Sequence, residues 1–161
     1  MSPSSTGTLR VTTPSDLEIL MVREFDAPRE LLFKAYTDPE AIPHWWGPGR
    51  FSVTVDRMDV RPGGAWRYVS RGEDGAEFAF NGVYQEIVPP ERIVCTFEYE
   101  GMPGHVSVDT ATFEERDGRT TLTVRSRFAT VEDRDGMINS GMEAGFAETL
   151  DRLLEYVRTM V

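Results

Sequence analysis

The chain has 161 residues, 40% hydrophobic and 27% charged, with a formal net charge of −10 and a single cysteine. That length and composition fit one folded domain with a sizeable core. One cysteine excludes an internal disulfide and a cysteine-based metal cluster, and the acidity argues against nucleic acid or an anionic membrane surface, which need clustered Lys and Arg.

Residues 1–15 are rich in Ser, Thr, Pro and Gly without an apolar period, which predicts a disordered tail before a single domain over 16–161. The opening "MSPSSTGTLRVTTPSD" lacks the basic-then-apolar order of a secretory signal, and no apolar run approaches the ~18 residues of a membrane span. The expected address is the cytoplasm, with no membrane insertion.

From Leu17, "LEILMVREFDA" reads as the first strand. Pro28 suits a first helical turn, and Leu31, Leu32, Ala35 and Tyr36 then form an apolar stripe. Asp38, Pro39 and Glu40 restart a short second helix, which Pro43 and Gly47-Pro48-Gly49 bring to an end. Trp45 and Trp46 sit at that end. Adjacent side chains cannot fill one spot in a core, so the pair needs two different surroundings.

Phe51 to about Phe128 is a series of six strands broken by turn signals: "RPGG", "GEDG", "PPE", "GMPG" and "RDGR". Gly-Gly and Asp-Gly permit the positive φ of hairpins, so a meander is predicted. Gly63-Gly64 belongs to such a turn rather than to a phosphate cradle, since no helix follows it. The last segment is the best helix of the chain. Ser140 and Glu143 have capping-box spacing, and Met142, Phe146, Leu150, Leu153 and Val157 make one apolar face. The order predicts an α+β fold: a seven-stranded curved antiparallel sheet around a long C-terminal helix, with two short helices after strand 1. A hollow between sheet and helix is a natural place for a pocket.

Motifs for catalysis are missing: the chain has no GxSxG, HExxH, P-loop or CxxC. His44 and His105 are too few, and too far apart in the chain, to hold a metal by themselves, so neither a metal nor a cofactor is expected. His105 follows a turn and is either a surface histidine or a polar group of the pocket. Cys95, in the apolar run "RIVCTFEY", reads as a buried inert thiol. Glu86 and Asp109 lie inside strands, where a lone inward carboxylate would mark a functional site. Phe78 and Phe80 share a strand face, and Tyr84 keeps that parity if no bulge intervenes at Asn81-Gly82.

The series "REFDAPRELLFKAYTDPEAIPHWWGP", "DVRPGGAWRY", "NGVYQEIVPPERIVCTFEY", "TFEERDGRTTLTVRSRF" and "GFAETLDRLLEYV" resembles the activator of heat-shock protein 90 ATPase homologue-like family, over residues 17–160. That family lies in the START-like (SRPBCC, polyketide cyclase/Bet v 1-like) superfamily. The resemblance implies the helix-grip fold and a hydrophobic pocket between sheet and long helix. It makes Trp45 or Trp46, Trp66, Phe78, Phe80 and Tyr84 candidate pocket residues, together with Phe97, Phe128, Met142 and Phe146. The first expectation is a non-enzymatic protein that binds a hydrophobic or aromatic small molecule. A second is a cyclase, aromatase or hydrolase that gathers His105 with Glu86 or Asp109 and Tyr84. A third is a surface-acting homodimer or chaperone-interaction module. Chaperone stimulation fits the chain poorly, because it has no room for the additional N-terminal domain of the family's eukaryotic co-chaperones.

Overall fold

A computed structural model describes residues 9–160. Eight strands form one antiparallel sheet: β1 (Arg10–Ser15), β2 (Glu18–Phe25), β3 (Ser52–Met58), β4 (Ala65–Arg71), β5 (Glu77–Val88), β6 (Arg92–Tyr99), β7 (Val106–Arg116) and β8 (Arg119–Arg127). Four helices accompany them: α1 (Arg29–Thr37), α2 (Ile42–Trp45), α3 (Val131–Asn139) and α4 (Met142–Arg158). The sheet order is β1-β2-β8-β7-β6-β5-β4-β3. The six-strand meander is therefore closed at its last strand by the first two, and α1 and α2 carry the chain across to the opposite edge.

Two expectations need correction. The sheet has eight strands rather than seven, because Arg10–Ser15, read as part of a tail, pairs with β2 through Arg10↔Val22, Val11↔Met21 and Thr12↔Leu20. Most of its side chains are exposed, so an edge strand held by backbone bonds left no apolar alternation to read. Residues 1–8 of that segment lie outside the described residues. The second correction is α3, which buries none of its side chains and so carries no helical apolar stripe. Thr130 caps it, the hydroxyl accepting from Asp133 N at 3.1 Å.

The capping box expected for α4 does not form. Ser140 turns back to donate to the Met137 carbonyl at 2.6 Å, and Gly141 occupies the N-cap with φ +84°. Two helices meet here, so the serine closes the first instead of opening the second. The glycine supplies the left-handed residue of the join.

The core lies between the concave sheet face and the helices. Strand β2 alternates strictly, with Ile19, Met21, Arg23 and Phe25 turned inward. Arg23 is buried and reaches Asp151 of α4 at 2.7 Å, with its guanidinium 5.0 Å from the Phe25 ring centroid. In α4 the C-terminal half of the apolar face, Leu150, Leu153 and Val157, is completely packed.

Register shifts at Val55/Arg57 in β3 and at Tyr84/Glu86 in β5 add local bends. The β5 shift falls after Tyr84, so Asn81-Gly82 is regular and Phe78, Phe80, Gly82 and Tyr84 share the inner face. Gly82 lies opposite Trp66, and a Cβ there would stand 1.9 Å from the Thr96 carbonyl oxygen and 2.4 Å from Trp66 Nε1. Gly82→Ala is expected to displace the Trp66 ring and cost about 1–3 kcal/mol through overpacking. Urea unfolding followed by tryptophan fluorescence checks this; an unchanged midpoint would refute the close packing.

Candidate functional site

Beneath the N-terminal half of α4 the sheet and helix separate around a cavity of about 350 Å³. The same apolar helix face that packs fully from Leu150 onward here presents Met142 and Phe146 to open space. A volume of this size suits a small organic molecule.

The two tryptophans have different surroundings. Trp45 is buried to 2% exposure, donates from Nε1 to the Ala35 carbonyl at 3.0 Å and lies 4.8 Å from the Tyr36 ring. It ties α2 to α1. Trp46 stays half-buried and meets Tyr68 and Phe80 edge-on, at 5.1 and 5.3 Å. Both contribute to the cavity wall. The Gly-Pro-Gly turn that follows is clasped onto α4. Gly49 N donates to Glu148 at 2.7 Å, while Arg152 donates to the carbonyls of Gly47 at 2.6 Å and His44 at 3.1 Å. Pro48 lies beside Gly145, where an added Cβ would meet the proline ring at 4.0 Å, an ordinary contact.

Of the residues singled out in the sequence, Trp45, Trp46, Trp66, Tyr84, Phe97, Phe128, Met142 and Phe146 line the cavity. Three do not. Phe80 stands behind the wall, stacked on Phe97 at 5.6 Å, and Phe78 packs on Phe51 and Tyr99. His105 is exposed, with Nδ1 2.7 Å from Asp133 of α3. Glu86 likewise faces outward and pairs with Arg92.

The floor holds a feature that only strand register reveals. Tyr84, Cys95, Asp109, Ser126 and Ile19 lie opposite one another across β5, β6, β7, β8 and β2. Four consecutive strands thus contribute a polar side chain to one row. The neighbouring row, Ile93, Ala111, Val124 and Met21, is wholly apolar. Ser107 lies one inward position from Asp109 and donates to Oδ1 at 3.4 Å; Ser126 also hydrogen-bonds the carboxylate.

Burial raises the Asp109 carboxyl to about 6, against the pull of the two serine hydrogen bonds. Burial, reinforced by the Asp109 charge, pushes the Cys95 thiol up to about 12, which favours its protonated form. Tyr84 rises to about 12, chiefly through burial, and burial also raises Tyr36 of α1 and Tyr68. Tyr68 and Tyr84 share a hydrogen bond. Among the described residues Asp109 is the one charged side chain of the wall, and no Lys, Arg or His joins it. Nor do the described residues gather three or more His, Cys, Asp or Glu side chains in a metal-binding group. No helix among them is long and apolar enough to cross a membrane.

A curved antiparallel sheet wrapped on a C-terminal helix, with a cavity between them, defines a helix-grip protein of the START-like class. The model for activator of Hsp90 ATPase homolog 1-like proteins matches residues 26–158, and the chain belongs to that family. Among solved structures it is similar to Ms6760 from Mycobacterium smegmatis, at 26% identity and a TM-score of 0.82, over 92% of this chain and 96% of that one. CV1439 from Chromobacterium violaceum is 27% identical, with a TM-score of 0.79 over 89% and 98% of the two chains. A protein from Rhodobacter sphaeroides, 24% identical, shares the fold with a TM-score of 0.88 over 94% and 99%. No curated protein sequence matches the chain.

Proposed function

We propose that the protein binds a small, largely apolar or aromatic molecule in the cavity under α4, holding it without transforming it, in the cytoplasm. The observation that carries this reading is the contrast within one helix. Leu150, Leu153 and Val157 are fully packed, while Met142 and Phe146 on the same face border a void of about 350 Å³. Protein interiors are close-packed, and an unfilled apolar space forgoes contacts that a ligand restores. Burying ~300 Å² of ligand at ~25 cal/mol/Å² contributes about 7 kcal/mol. Association costs of several kcal/mol leave an affinity in the micromolar range. The enzyme reading loses support, because His105 and Glu86 face away from Asp109 and Tyr84.

The test is titration with N-phenyl-1-naphthylamine, a neutral dye whose emission rises in apolar surroundings. Saturable binding to the wild-type protein is expected, weakened about tenfold in Phe146→Ala by the loss of one aromatic contact surface. Absence of saturable binding, or equal affinity in the variant, would remove the cavity from consideration as the site.

A further inference from the structure

The polar row on the cavity floor narrows the class of ligand. We propose that the cavity selects molecules with a basic nitrogen on an apolar body, and that Asp109 is the counter-charge for that nitrogen. This rests on the reading of the cavity as a ligand site and specifies what the ligand carries.

Three observations converge. Asp109 projects from the inward register of β7, between Cys95 and Ser126, and forms part of the wall. A carboxylate in such a place is costly unless a cation or several donors meet it. The described residues of the wall supply two serine hydroxyls and no cation, so part of the carboxylate's hydrogen-bonding capacity is left for a guest. The same cavity wall carries aromatic rings: Trp66 and Tyr68 have ring centroids 4.7 Å apart, and Trp46 meets Tyr68 at 5.1 Å. Such faces attract cations as well as apolar groups. The same arrangement disfavours a carboxylate or phosphate, which would enter a wall with one negative charge and no positive one. Fatty acids and acyl phosphates are therefore poor guests.

The experiment compares three probes of nearly the same shape by isothermal titration calorimetry at pH 7.5: 1-naphthylmethylamine, 1-naphthalenemethanol and 1-naphthoic acid. The amine is expected to bind at least about tenfold more tightly than the alcohol, as a charge-assisted hydrogen bond exceeds a neutral one. The acid is expected to bind more weakly than either. In Asp109→Asn the ratio of amine to alcohol affinity should collapse to about one.

A pH series on the wild-type protein gives an independent reading. Besides Asp109, the titratable groups of the wall are Cys95 on β6, Tyr84 on β5, Tyr68 on β4 and Tyr36 on α1, all raised and so neutral across this range. The α3 and α4 residues that reach the cavity (Met137, Met142, Gly145, Phe146 and Thr149) carry none. Preference for the amine should therefore fade as the pH falls from 7.5 to 5, through the Asp109 value of about 6. Equal binding of amine and alcohol, or a preference that survives Asp109→Asn, would overturn the role of Asp109 and leave the cavity as a ligand site. Failure of all three probes and of the neutral dye would overturn both.

Discussion

Trp45→Ala is expected to cost about 3–5 kcal/mol, the usual range for emptying a buried large aromatic site. The indole is 2% exposed, packs on Tyr36 and donates to the Ala35 carbonyl. Truncation removes the ring, leaves a cavity and orphans a buried acceptor at the same time. For a domain of this size each kcal/mol shifts Tm by roughly 2–4 °C, so a fall of about 6–20 °C is expected. Differential scanning calorimetry measures it. Trp46→Ala, at a half-buried position, should cost clearly less. Equal losses at the two positions would refute the division of labour between them.

Asp109→Asn is expected to act in the opposite direction and stabilise the protein. The carboxyl has a value of about 6 in the fold against a reference of 3.8, so folding disfavours its ionised form. A raised folded value means that the group's contribution to stability is fully present below about 4 and is lost as the pH rises through about 6. Two units correspond to about 3 kcal/mol. The variant should therefore gain about 2–3 kcal/mol over wild type at pH 8 and lose that advantage by pH 4. The difference between the two proteins isolates Asp109 from Glu18 and Glu100, whose lowered values act in the reverse sense. Urea denaturation across this pH range measures it. A variant less stable than wild type at pH 8 would mean that the carboxylate is satisfied in the fold. A carboxylate that weakens the empty protein and strengthens its hold on a cationic guest is the trade expected of a binding site.

The meander was legible in the sequence because each hairpin carries its own local chemistry. Asp117 and Gly118 both adopt positive φ in the β7–β8 turn, as an Asp-Gly pair predicts. The α4 stripe was equally plain from its period, although a period does not distinguish a side chain in a packed core from one beside a void. Leu150 and Phe146 look alike in sequence and differ in surroundings. The same limit explains Phe78 and Phe80. Their parity was readable and correct, but distance along the strand from the cavity was not. Asp109 was noticed as an in-strand carboxylate. Its row with Tyr84, Cys95 and Ser126 depends on the register of four strands, which no single segment encodes. The partnership of His105 with Asp133 was hidden for a similar reason, since it joins a turn to a helix whose exposed face gave no periodic signal.

The seating of β2 beside β8 carries a consequence for how the chain is made. Ile19 pairs with Ser126, over a hundred residues downstream, and Arg23 waits still longer for Asp151. A ribosome adding residues one at a time must expose the inward side chains of β2 throughout synthesis of the meander. Pairings so distant in the chain also make for slow folding, because a long loop must be closed before they form. Between translation of Phe25 and arrival of Leu122 the inward side chains of β2 are without the strand that later seats beside them, an exposure of the kind that favours aggregation.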